Sequence, residues 1–207
     1  MTILTEILAQ KEVELVTLKA QAPTEVAVEK KRPSLFETLR SSTHVQVIAE
    51  MKRASPSKGL IAEGANPVAQ ASAYEQAGAA CVSVLTDEKY FKGSFADLKN
   101  VANAIDIPLL CKDFVIDEVQ IDYAKAAGAS VVLLIVAALN DEQLDRLHRY
   151  ATSLSLDVLV ETHNVEELQR ALAINAKIIG VNNRNLHDFS IDLAHTEEIA
   201  AVFPFDE

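Results

Sequence analysis

Four apolar runs in this chain end in groups able to move protons or hold anions. The first is Val45-Gln46-Val47-Ile48-Ala49-Glu50-Met51-Lys52, followed by Arg53-Ala54-Ser55-Pro56-Ser57-Lys58-Gly59. In a strand, side chains alternate faces, so Ile48, Glu50 and Lys52 point the same way and put two opposite charges on a core-facing side. Ionisable groups are seldom buried without a partner or a task. The pattern returns in Leu109-Leu110-Cys111-Lys112-Asp113, in Val158-Leu159-Val160-Glu161 and in Ile178-Ile179-Gly180-Val181-Asn182-Asn183-Arg184. If these ends converge, Glu50, Lys52, Lys112, Glu161, Asn182 and Arg184 share one pocket, with three cations against two carboxylates. Such a pocket suits an acidic small molecule. Its Lys and Glu neighbours, partly desolvated, are placed for proton transfer near neutrality. On any single strand an ion pair or a solvated turn would explain the charges as well; recurrence on four strands favours a site.

The elements that would position these groups are legible. Strand candidates lie at 45–51, 80–85, 108–112, 130–136, 156–161 and 177–182. Several are almost continuously apolar, as parallel strands covered on both faces must be. Helix starts lie between them. Asn66-Pro67 offers an N-cap with Pro at the first helical position, and Ser94 with Asp97 is a weaker start. Asp117 with Gln120, Asn140 with Gln143, and Asn164 with Glu167 resemble capping boxes. Helix stops fall at Ala77-Gly78-Ala79, Ala127-Gly128-Ala129 and Ile174-Asn175-Ala176, where Gly or Asn can take the left-handed conformation. They recur at about two strand–helix units each, so the internal period is a βα period. Ahead of the strands, residues 2–20 read as a helix with an apolar stripe of Ile3, Leu4, Ile7 and Leu8, extended less regularly by Val13, Val16 and Leu18. A linker with Pro23 and Pro33 leads to a short second helix opened by Ser34-Leu35-Phe36-Glu37. This leader is either a cover over one end of the sheet or a packing appendage.

No dinucleotide glycine fingerprint or Walker A motif follows the first strand. Polar groups at successive strand ends fit instead the catalytic face of a TIM (β/α)8 barrel, in which strand ends converge on one mouth. The expected organisation is an N-terminal helical extension at 1–43 and a barrel portion at 44–207 with about six βα units. Two more units would complete the fold. Hydrophobic residues make up 49% of the 207, enough for a sizeable core, and the net charge of −11 argues against a nucleic-acid binder. No run of about 18 apolar residues suggests a membrane span. Glu6 and Lys11 interrupt any signal-peptide core, so a cytoplasmic protein is expected. Cys81 and Cys111 lie inside apolar runs and read as buried reduced thiols. The five histidines, at 44, 148, 163, 187 and 195, show no metal-ligand spacing and read as surface or cap residues. Lys58 reads as a solvated turn lysine.

The block from Ile48 to Gly59 resembles the signature of the indole-3-glycerol phosphate synthase family. The likeness continues in Leu85-Thr86-Asp87, Tyr90-Phe91-Lys92-Gly93-Ser94, Cys111-Lys112-Asp113-Phe114, Leu133-Leu134-Ile135, Val160-Glu161 and Gly180-Val181-Asn182-Asn183-Arg184-Asn185-Leu186. The resemblance implies conversion of 1-(2-carboxyphenylamino)-1-deoxyribulose 5-phosphate into indole-3-glycerol phosphate, carbon dioxide and water, without cofactor or metal. By similarity, Lys112 is the general acid and Lys52 the carboxylate partner or alternative acid. Glu161 serves proton transfer in dehydration and Glu50 orients the lysines. Asn182 holds substrate hydroxyls, and Arg184 supports the carboxylates electrostatically. Ser55, Phe91, Phe114 and Leu133 map to substrate contacts, where aromatic walls suit the anthranilate ring.

One departure stands out: the family's seventh-strand Ser-Gly motif and eighth-strand Gly-rich turn, which hold the substrate phosphate, are not found. The expectation is therefore a truncated or processed form with little activity alone, whose first and sixth strands are open edges prone to self-association. Another phosphate-binding barrel enzyme, such as a phosphoribosyl isomerase, is the nearest rival, although those enzymes use an Asp or Cys pair. A non-catalytic fragment serving folding or assembly is the alternative of a different class.

Overall fold

The computed structural model describes residues 2–62, 64–184 and 190–204. Asn185 and Leu186 of the last family block, with His187, lie outside the described residues. Six parallel strands form one curled sheet: β1 (Ile48–Met51), β4 (Cys81–Leu85), β5 (Leu109–Lys112), β6 (Val131–Ile135), β7 (Asp157–Thr162) and β8 (Ile178–Val181). They pair in chain order, with β1 and β8 at the two ends. A two-residue hairpin, β2 (Ala54–Ser55) and β3 (Gly59–Leu60), follows β1 and carries the Pro56-Ser57-Lys58 turn. The strands alternate with α3 (Pro67–Gln76), α4 (Glu88–Phe91) and α5 (Phe95–Ala104), then α6 (Glu118–Ala126), α7 (Asp141–Ser153) and α8 (Val165–Ala173). α9 (Ala194–Ala200) comes last. This is the incomplete TIM-barrel architecture expected from the alternating pattern. Among the described residues, no helix is long and apolar enough to cross a membrane.

Local chemistry explains the boundaries. Asn66, Ser94, Asp117, Asn140 and Asn164 are all N-caps whose side chains accept a backbone N–H of the first turn. Asp117–Gln120 and Asn140–Gln143 are reciprocal boxes. In the third pair, Glu167 turns instead to the N–H of His163, one residue earlier. The stops carry positive φ at Gly78, Gly128 and Asn175, the left-handed turn that lets the chain leave a helix and enter the next strand.

The core has two layers. Val82, Val84, Leu109, Cys111, Val132, Leu134, Val158 and Val160 face the helices. Cys81, Leu110, Val131, Leu133, Ile135 and Ile178 face inward. Both thiols are buried and unpaired, one in each layer, and burial pushes each up to about 12.

The leader covers both ends of the curled sheet rather than one. α1 (Ile3–Ala20) brings Ile3, Leu4 and Ile7 over the C-terminal mouth. α2 (Leu35–Ser41) plugs the opposite end: Leu35 is fully buried among Cys81 and Val131, and Ser34 Oγ donates to Asp157 at the start of β7. The stripe on α1 also differs from the apolar reading. Val13 and Val16 are exposed, and the buried line is Ile7, Lys11 and Leu15. A lysine occupies a core position because two carboxylates meet it there.

Candidate active site

Strand alternation delivers the site. Glu50 on β1, Lys112 on β5, Leu133 on β6 and Glu161 on β7 all stand on the inward face near the strands' C-terminal ends, while Asn182 and Arg184 follow β8. They line one cavity of about 360 Å³, together with Lys52, Ser55, Phe91 and Phe114. All ten residues singled out in the sequence therefore meet at one mouth. Ile3, Leu4 and Ile7 of α1 form part of its wall.

Two Lys–Glu pairs divide the cavity. Lys52, just past the end of β1, bonds Glu50 two residues back. Lys112 Nζ donates to Glu161 Oε2 at 3.3 Å across the intervening β6. Glu50 thus holds one lysine, not both. Glu161 also accepts at Oε1 from Asn182 Nδ2 at 2.9 Å, and the side-chain Oδ1 of Asn182 accepts the backbone N–H of Arg184 at 3.0 Å. Burial pushes the Glu161 carboxyl upward, but the Lys112 charge, the Asn182 bond and His163 outweigh it and hold the group below the ordinary carboxylate range. The Arg184 guanidinium donates to Ser57 Oγ at 3.0 Å, joining the loop after β8 to the hairpin after β1.

The apolar wall is built from turns. Phe91 and Phe114 stand 6.0 Å apart between ring centroids, tilted by 36°, leaving edges and faces for a planar ring. Phe91 ends α4, whose N-cap Asp87 accepts the N–H groups of Tyr90 and Phe91. Gly93 then passes so close to β4 that a Cβ there would lie 2.0 Å from the Leu85 carbonyl oxygen.

Two groups of residues beside the site escaped the sequence reading. Lys11 lies 2.8 Å from both Asp87 and Asp113, and all three are nearly inaccessible to solvent. Its charged state is favoured although burial opposes it, because both aspartates face the same ammonium. Asp113 is thus not part of a solvated turn: it anchors α1, and Thr86 Oγ1 donates to it at 2.6 Å. The available signal was the spacing Ile7, Lys11, Leu15, which repeats every four residues. His163 was read as a surface or cap residue, yet its ring is largely buried, between Glu167 and Glu161. Period two from Glu161 already put it on the same side.

Fold and cavity together define a TIM-barrel protein with paired lysines and glutamates at the C-terminal ends of its parallel strands. The family model of indole-3-glycerol phosphate synthase matches residues 4–207. A protein of that name from Listeria monocytogenes serovar 1/2a is 53% identical, over 100% of this chain and 81% of its own length. One from Oceanobacillus iheyensis is 48% identical, over 97% of this chain and 77% of its own. The Bacillus cereus counterpart is 49% identical, over 96% and 77%. This chain belongs to the indole-3-glycerol phosphate synthase family.

Proposed function

We propose that this chain is a carboxy-lyase of tryptophan biosynthesis. It closes the indole ring of 1-(2-carboxyphenylamino)-1-deoxyribulose 5-phosphate and yields indole-3-glycerol phosphate, carbon dioxide and water. The observation that carries the reading is the Lys112–Glu161 pair, an acid and a base in contact inside a cavity that also holds a second lysine.

The steps follow from the charges. The aromatic carbon bearing the carboxylate attacks the ketone carbon, and Lys112 protonates the ketone oxygen as the bond forms. Lys52, held by Glu50, faces the substrate carboxylate until it leaves as carbon dioxide. The new hydroxyl takes a second proton, supplied from solvent through Lys112, and departs as water, while Glu161 takes the proton that the neighbouring carbon gives up as the new ring becomes aromatic. Its contact with Lys112 lets that proton return to the acid, so one solvent proton is consumed in all and the site resets. Arg184 adds positive charge at the carboxylate end, and Asn182 fixes Glu161 while facing the substrate hydroxyls. Phe91 and Phe114 flank the anthranilate ring, with Ser55 and Leu133 completing the contacts. The apolar residues of α1 limit water around these charges, which strengthens each interaction. On this reading residues 1–43 are a cover and 44–207 the barrel portion.

Formation of indole-3-glycerol phosphate, followed by its fluorescence, tests the proposal. Slow product formation by the purified chain, abolished in Lys112→Met, is the expected outcome. A folded chain that makes no product, or Lys112→Met turning over like the parent, would refute it. A cytoplasmic location accords with a small phosphorylated substrate. Self-association through β1 or β8 is a further expectation, since Val45 and Val47 ahead of β1 are exposed. Light scattering that finds only monomer would count against it.

A further inference from the structure

Among the described residues Lys112, Asn182 and His163 reach Glu161, and the reaction above uses the first two but not His163. His163 lies two residues beyond Glu161, where β7 turns toward α8. Its Nδ1 is 3.0 Å from Glu167 Oε2, and its Nε2 is 3.6 Å from Glu161 Oε1. Glu167 is fixed in place, because Oε2 also accepts the backbone N–H of His163 at 2.9 Å and Oε1 accepts from Asn164 Nδ2 at 3.1 Å. A carboxylate can only accept, so the hydrogen of a neutral imidazole must sit on Nδ1. Nε2 then presents its lone pair to Glu161, buried and without a hydrogen-bond partner. Two acceptors facing each other out of water repel unless a proton lies between them. Among the described residues, the charged groups paired with the ring are Glu161 of β7 and Glu167 of α8. Lys112 of β5 reaches it through Glu161.

We propose that Glu167, His163 and Glu161 form a carboxylate–imidazole–carboxylate relay, in which His163 is a positioning residue that shares one proton with Glu161. With the proton on Nε2, the imidazolium holds Glu161 as a carboxylate ready to act as a base. With the proton on Glu161 Oε1, the neutral ring accepts a hydrogen bond from it, and Glu161 is an acid able to return a proton to Lys112. The transfer breaks one N–H bond and forms one O–H bond, and it needs no other reactant. The catalytic meaning of the relay rests on the proton-transfer role proposed for Glu161; the tautomer and the shared proton do not.

Nitrogen-15 NMR of histidine-labelled chain, with His163 assigned by sequential connectivity, tests the relay without turnover. The expected result is a ring with Nδ1 protonated throughout and Nε2 exchanging its proton with Glu161. Glu161→Gln should move the Nε2 resonance, because the ring loses its facing carboxylate. Glu167→Gln should give mixed tautomers. A neutral ring protonated on Nε2 in the unsubstituted chain, or an Nε2 resonance unmoved by Glu161→Gln, overturns the proposal; the first needs no variant to fold. In the product assay, His163→Gln keeps an amide near Glu161 but cannot titrate. It should lower kcat about tenfold or more with KM little changed, and remove the acid limb of the kcat profile. An unaltered kcat and pH profile in His163→Gln would also overturn it. A chain with the relay signature but no product would sink the assigned reaction and leave the relay standing.

Discussion

Lys11→Met removes the ammonium that α1 inserts between Asp87 and Asp113. The side chain is 3% exposed, and its partners 0% and 5%, so water cannot replace the lost charge. Both contacts measure 2.8 Å, and Glu14 sits 2.9 Å away at the rim. Breaking a buried ion pair by removing one partner costs about 3–5 kcal/mol, since the remaining charge is left uncompensated. Two carboxylates are left here, which places the expected loss at the upper end of that range unless α1 undocks first and caps it. Urea unfolding followed by circular dichroism at pH 7 measures this. Lys11→Met combined with Asp113→Asn should be more stable than Lys11→Met alone, because one stranded charge is gone. A deficit below about 1 kcal/mol at pH 7, or no recovery in the double variant, would show that Lys11 contributes packing rather than charge balance.

Other consequences can be checked separately. Both thiols are pushed up to about 12 by burial, so neither Cys81 nor Cys111 should react with a disulfide reagent at pH 8 until urea unfolds the chain. A folded thiol with a raised pKa withholds its stabilisation as pH climbs, so stability should decline above pH ~8.5, the unfolded thiol value. Gly93→Ala drives a methyl group into the Leu85 backbone and should cost about 1–3 kcal/mol or more while displacing Phe91, measurable as a lower Tm and weaker binding of an anthranilate-like ligand. Glu161 is held below the usual carboxylate range, so its stabilising contacts are present above pH ~4.3 and lost as pH falls through the folded value. The stability difference between the parent and Glu161→Gln should accordingly shrink as pH falls below ~4.3, and a difference that grows on acidification would contradict the assigned contacts.

The sequence by itself determined the parts that depend on neighbours along the chain. Capping side chains, left-handed Gly and Asn stops, and continuous apolar runs set the helices and strands to within a few residues, because each is satisfied by groups three or four positions away. Period two put Glu50 with Lys52, and the parallel architecture required Lys112 and Glu161 to point into the same mouth. Tertiary structure decided which charges pair. Nothing local tells Lys112 to meet Glu161 across β6 while Lys52 stays with Glu50, or Asn182 to spend its amide on Glu161. The same holds for Lys11. On a helix wheel it is a charge interrupting an apolar stripe; only α1 packed over the ends of β4 and β5 supplies the two aspartates that make its burial favourable. Burial changes the value of a charge by removing water, and which charges lose water together is settled when distant segments pack.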